Sequence, residues 1–139
     1  MEDSIWRLKN SRIKQLCKLT WDKLPMDVKP VVSKGLTQIS DVIEWSGYIR
    51  ESLDSLGVRW NPAKFNDWGT ITFSEKDCIN LPDEIIVGAF VHELAHFYQS
   101  ILTPGNTCLI ENAGDVLPKI WGFRLEIEAL SKKRDELNS

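Results

Sequence analysis

His92-Glu93-Leu94-Ala95-His96 is the segment of this 139-residue chain whose residue types and spacing point to metal chemistry, and it holds both histidines of the sequence. On a helix, residues i and i+4 project about 40° apart, so two imidazoles at this spacing can reach one ion. Glu93 adjoins the first histidine and is too short to reach the same coordination position, so it is the expected general base. A zinc ion held by such a pair lowers the pKa of bound water towards about 7 and polarises a carbonyl oxygen. Short motifs recur by accident. Against accident stands the use of every histidine in the chain within one turn and a half of helix.

The flanking sequence predicts the elements that must position these groups. A long helix is expected from Asp83, which can cap it, to about Leu102, ended by Thr103-Pro104-Gly105-Asn106. Val87, Phe90, Leu94, Tyr98 and Ile101 gather on one side of it, roughly opposite the histidines, and Ile85, Ile86 and Ala89 occupy the other flank. A helix so apolar in its first half is buried. Unpaired buried polar groups cost several kcal/mol, and a metal in a cleft would supply partners for these. Ahead of the helix, residues 58–60, 69–73 and 78–81 read as short β-branched or aromatic strands separated by turn formers. Behind it, Pro118 fits the first turn of a last helix running through Leu130.

The N-terminal third reads as helical. Ser4 can cap a helix with Ile5, Leu8, Ile13, Leu16 and Leu19 at helical spacing, and Pro25 and Pro30 break it. A second amphipathic helix is expected over residues 37–56, stopped by Gly57. The expected class is therefore α+β: N-terminal helices, a small antiparallel sheet, the histidine-bearing helix and a C-terminal helix carrying glutamates. No repeat or linker-like run interrupts it. One domain over 1–139 is expected, with residues 1–57 as a helical part and 58–139 as the catalytic core.

Gly69-Thr-Ile-Thr-Phe-Ser74, Cys78-Ile-Asn-Leu-Pro82 and Val91-His-Glu-Leu-Ala-His-Phe-Tyr-Gln99 together resemble the core of zincin metallopeptidases. Minimal intracellular members, the SprT-like and ImmA-type peptidases, are similar in this region. The resemblance covers roughly the C-terminal half and implies a zinc-dependent peptidase with peptide or protein substrates. It also implies that the strand ahead of the active helix, here residues 78–81, is a sheet edge that pairs with extended substrate.

A catalytic zinc usually takes three protein ligands and leaves one position for water. With no third histidine, the third ligand must be a carboxylate or a cysteine. The metzincin pattern would need histidine where Leu102 stands, and the SprT-like third ligand is histidine, so the resemblance narrows to the gluzincin arrangement. Similar families place the ligand glutamate three residues before a small residue, which Glu126 and Ala129 match. Helix geometry also favours Glu126: it lies about 70° from the centre of the apolar face, against about 130° for Glu128. Glu111-Asn-Ala-Gly-Asp115 is a rival, since it resembles a ligand glutamate followed four residues later by a supporting aspartate. Cys108 is a further rival. Leu130 stands where similar families often have Asp or Asn, so the hydrogen bond that orients a ligand histidine must come from elsewhere, and Asp115 is a source.

The remaining features bound the reading. Seventeen basic against twenty acidic residues leave a formal charge of −3, too little positive field for a nucleic-acid partner. The three scattered cysteines make neither a disulfide framework nor a metal knuckle, which fits a reducing compartment. The start of the sequence has no signal-like run, and the most apolar stretch, residues 85–91, is too short for a bilayer. A cytoplasmic protein with no membrane partner is expected. Tyr48, Tyr98 and Arg124 are the available oxyanion donors. Gln99 turns towards the histidine side. The six tryptophans read as core. The alternative function is a zincin-like interaction module with a structural metal or none, against which the intact Glu93 argues.

Overall fold

The computed structural model describes residues 3–66, 68–103 and 107–138, without the side chains of 107–113. A 3₁₀ turn at Asp3–Ile5 leads into β1 (Trp6–Arg7), α1 (Ser11–Lys23), α2 (Val28–Gly35), β2 (Gln38–Val42) and α3 (Gly47–Ser55). There follow β3 (Ala63–Phe65), β4 (Thr70–Ser74), the single turn α4 (Glu75–Cys78), α5 (Asp83–Leu102), α6 (Thr107–Ile120) and α7 (Arg124–Asn138). The class is α+β, as expected. The sheet, in the order β1-β2-β4-β3, is mixed: β1, β2 and β4 are parallel and only β3 runs antiparallel.

The antiparallel expectation fails because residues 37–56 are not one helix. Gln38–Val42 inserts as a central strand between β1 and β4, with Ile39 fully buried. Pairing on both sides outweighs the local helical spacing, a common fate of propensity in a core. The helical remainder starts later, where the Ser46 hydroxyl accepts the Ile49 N–H as a cap. The first helix likewise begins at Ser11, capped by the Asn10 side chain, because Trp6 and Arg7 are drawn into the sheet. Asp41 of β2 secures this entry, its carboxylate accepting the N–H groups of Lys9 and Asn10 at 2.8–3.1 Å.

Residues 58–60 form no strand. Their backbone is held instead by Asn138 of α7, whose side-chain oxygen accepts the N–H groups of Arg59 and Trp60. Residues 78–81 are not an edge strand either. Glu75–Cys78 is a helical turn, and the chain then passes through Asn80 at φ +66° into α5. The edge role falls to β3, which neighbours only β4. α5 has the expected limits, although Pro82 rather than Asp83 occupies the cap position. Asp83 instead pairs with Arg12 of α1 at 2.6 Å. The last helix is two helices: buried Pro118 sits in the final turn of α6, and α7 starts beyond Gly122.

α5 is the centre of the domain. Ile86, Phe90 and Leu94 are fully buried with Ile71 and Phe73 of β4, Ile39 of β2, and Ile13 and Val32 of α1 and α2. By length and composition alone α5 could cross a membrane, but here it is packed by α1, α2, β3, α6 and α7. Cys17 and Cys78 both lie in this core, and burial pushes the Cys78 thiol up to about 12.

Asp41→Ala leaves two main-chain donors at the start of α1 without their acceptor. The expected loss is about 1–3 kcal/mol, read from urea unfolding at neutral pH. An unchanged midpoint would show that these bonds do not hold the helix entry.

Candidate functional site

His92 and His96 project from α5 with their Nε2 atoms 3.2 Å apart and their rings inclined at 78°. Two nitrogens bound at about 2.0–2.1 Å to one tetrahedral ion stand about 3.3 Å apart. The side-chain geometry therefore fits a shared metal, beyond what helix spacing alone requires. The ring of Phe65, from β3, stacks nearly parallel on His96 with centroids 6.0 Å apart. This fixes the second imidazole from the sheet side.

α6 closes the other side. Gly114 lies so near that a Cβ there would overlap both imidazole rings. Its neighbour Asp115 places Oδ1 3.5 Å from His92 Nδ1. A carboxylate at that nitrogen favours a proton on Nδ1, which leaves Nε2 with its lone pair free for a metal. His92 in turn holds the Asp115 carboxyl below its ordinary value. Asp115 thus stands at ion-pair distance from His92, and neither His92 Nδ1 nor Asp115 Oδ1 has a hydrogen-bond partner among the described residues.

Glu93 is half-buried on α5, with the N–H of Phe65 from β3 at its carboxyl. Burial pushes its carboxyl up to about 7, against the opposing pull of His92, Arg134, the Phe65 backbone N–H and Lys64. The strand register explains the Phe65 contact. Asn66 N–H bonds Thr70 and Ser74 N–H bonds Pro62, so the residues between, Ala63 and Phe65, direct their N–H and C=O groups away from β4. Phe65 thereby offers its N–H to Glu93 from the free edge of the sheet.

The other expected site residues are spread more widely. Glu126 lies in the first turn of α7 beside Gly88, lining a hollow with Asp83, Glu84, Val87 and Lys23 at the N-terminal half of α5. Among the described residues no third His, Cys, Asp or Glu joins the two histidines in a metal-holding group. Glu126 is therefore not brought to them. Glu128 pairs with Arg124 on the surface. The side chains of Glu111 and Cys108 fall outside the described residues. Of the proposed oxyanion donors, Tyr48 is exposed on α3, Tyr98 packs edge-on against Trp121, and Arg124 is taken by Glu128. Gln99 donates to Thr103 at the end of α5.

Sequence reasoning missed Arg134 and Gly114. Arg134 bears electrostatically on both Glu93 and Asp115, yet it sits in Lys132-Lys133-Arg134-Asp135-Glu136, which reads as a solvated helix face. Spacing gives the signal in retrospect: Leu130, Arg134 and Asn138 recur every four residues, and the outer two contact Gly88 and Trp60. For Gly114 the signal is a glycine inside a helix, which suggests close packing.

No family model, curated protein or solved structure matches this chain.

Gly114→Ala tests the closeness of α6. In an unobstructed helix the change would add up to about 1 kcal/mol through propensity. Here it is expected to lower thermal stability and to weaken zinc binding at least tenfold, followed by competition with a chromophoric chelator. Stabilisation with unchanged metal affinity would show that α6 does not abut the imidazoles.

Proposed function

We propose that this protein is a zinc-dependent peptide hydrolase of zincin type, with His92 and His96 as metal ligands and Glu93 as general base. The observation that carries the reading is the convergence of the two Nε2 atoms at 3.2 Å on the helix turn that also bears Glu93. A bound zinc would supply an activated water and polarise the scissile carbonyl.

The chain's own residues do the rest. Asp115 orients His92, and Phe65 packs against His96, so neither ring needs to reorganise when a ligand arrives. Glu93 lies in a desolvated position with a carboxyl held near neutrality, suited to taking a proton and returning it to a leaving amine. The outward C=O of Phe65 and the outward groups of Ala63 can hydrogen-bond an extended peptide main chain. Arg134 provides positive potential at the same place, where negative charge develops during acyl transfer.

The third ligand is best sought on α6. Gly114 and Asp115 face the imidazoles, and Glu111 is the ligand candidate that the sequence pairs with Asp115. Glu126, preferred on sequence grounds, packs by Gly88 instead.

Purified protein is expected to hold about one zinc per chain by elemental analysis, and His92→Ala to remove it. Absence of any divalent metal after zinc supplementation would end the metalloenzyme reading. Glu93→Gln is expected to keep the metal and lose at least a hundredfold in peptide cleavage. Cleavage at the parental rate would remove Glu93 from the role of base.

Metal retention also separates the two glutamates. Glu111→Ala is expected to lose zinc, whereas Glu126→Ala keeps it and changes stability by no more than about 1 kcal/mol. The reverse pattern would return the third ligand to α7.

A further inference from the structure

Arg134 is a cation whose guanidinium goes unused inside the domain. Among the described residues it takes part in no ion pair and no hydrogen bond, and it is half-buried. A planar guanidinium that has given up part of its water suits a carboxylate, which it can hold through two parallel N–H···O bonds.

Its place on α7 is fixed from both sides. One turn earlier Leu130 packs on Gly88 of α5, and one turn later Asn138 bonds Arg59 and Trp60. Residues four apart on a helix share a side, so Arg134 lies on the side that meets α5 and the approach to β3. Residues 61–62 carry the line of β3 back towards that clamp: Pro62 accepts the Ser74 N–H, next to the Ala63–Phe73 pair, and Asn61 donates to Asp77. Arg134 therefore stands towards the Ala63 end of the free edge, and its charge reaches both Glu93 and Asp115.

A hollow of about 530 Å³ opens beside it, lined by Leu56, Gly57, Val58, Asp135 and Asn138. Arg134 is the one cation among these lining residues. Asp135, the one acid, is exposed to water, and the Asn138 side chain is already spent on Arg59 and Trp60.

On the peptidase reading, on which this inference rests, we propose that this hollow is a subsite for a substrate carboxylate, with Arg134 as its specificity-determining residue. The carboxylate lies within about three residues of the cleaved bond, since charges act across about 10 Å in salt solution and an extended peptide advances about 3.3 Å per residue. Its source is the C-terminus of the peptide or the side chain of an acidic residue.

The test uses heptapeptides with a neutral coumarin at the N-terminus. Each is made as the free acid, as the C-terminal amide, and as amides with one glutamate or one glutamine moved along the sequence. Zinc-loaded Glu93→Gln binds them without consuming them, and Kd is read from anisotropy. A peptide with its carboxylate in place is expected to bind about tenfold more tightly than its neutral counterpart. Arg134→Ala and Arg134→Gln are expected to erase the difference, Arg134→Lys to keep part of it, and added salt to narrow it. In the protein with Glu93 intact, the same ratio is expected in kcat/KM. Preference for acid over amide assigns the C-terminal carboxylate, and preference for glutamate over glutamine among the amides assigns the side chain. Zinc content and circular dichroism of each variant monitor the fold.

Equal affinity for charged and neutral peptides, or a preference that survives in Arg134→Ala, overturns the assignment. So does a loss of cleavage in Arg134→Ala that is the same for every peptide, which leaves Arg134 only its field at the reacting carbonyl. Failure of the underlying reading is distinct: the protein with Glu93 intact then cleaves neither member of any pair, and the subsite falls with it.

Discussion

The domain is organised by one constraint: its most buried helix also carries its most polar cluster. α5 buries Ile86, Phe90 and Leu94 completely, and the same helix turns His92, Glu93 and His96 towards neighbours that must satisfy them. Buried polar groups without partners cost several kcal/mol, so the surrounding elements are selected by what they can offer. β3 offers an outward N–H and an aromatic face to Glu93 and His96. α6 offers a carboxylate to His92. α7 sends Arg134 to bear on both acids.

This division explains why the sheet ends where it does. Were β3 flanked by a fifth strand, the N–H and C=O groups of Ala63 and Phe65 would be consumed in a ladder. As an edge, β3 can serve α5 and still keep the outward groups of Ala63 out of the sheet ladder. Exposed edges invite aggregation and are usually kept short. Here the edge is three residues long, and Asn66 and Gly69 end it in a tied turn.

The helix bearing the histidines was legible from its apolar surround and its Thr103-Pro104-Gly105 terminus, and its observed limits match the expectation. The meeting of His92 and His96 on one helix, beside Glu93, could be expected because their spacing is local. What depended on long-range pairing was not legible. Gln38–Val42 has a plausible helical pattern, and only its neighbours β1 and β4 make it a strand. Pro118 has a plausible N-terminal role, yet it lies in the last turn of α6 rather than opening the last helix, and Glu126 falls in the first turn of α7 beside Gly88. Asp115 could be singled out because its spacing from Glu111 resembles a known arrangement, and it does lie near His92. Gly114 was not, since the need for a missing side chain appears only when two helices meet.

Gly114 and Pro118 act together in α6. An α-helical carbonyl at 114 would accept the N–H of residue 118, and proline has none, so the ladder is interrupted one turn after the closest approach to the imidazoles. Gly122, at φ +100°, sets how far α6 can continue. The Phe123 N–H then bonds the Pro118 carbonyl, and the chain turns into α7 within three residues. That sharp return lets α7 start beside Gly88, where its own backbone packs against the bare helix, and run towards Trp60. A longer α6 would start α7 elsewhere and change the register that carries Arg134 to the buried acids. The cap at Gly122 therefore links two features of the site: the helix that touches the histidines, and the cation that bears on the carboxylates.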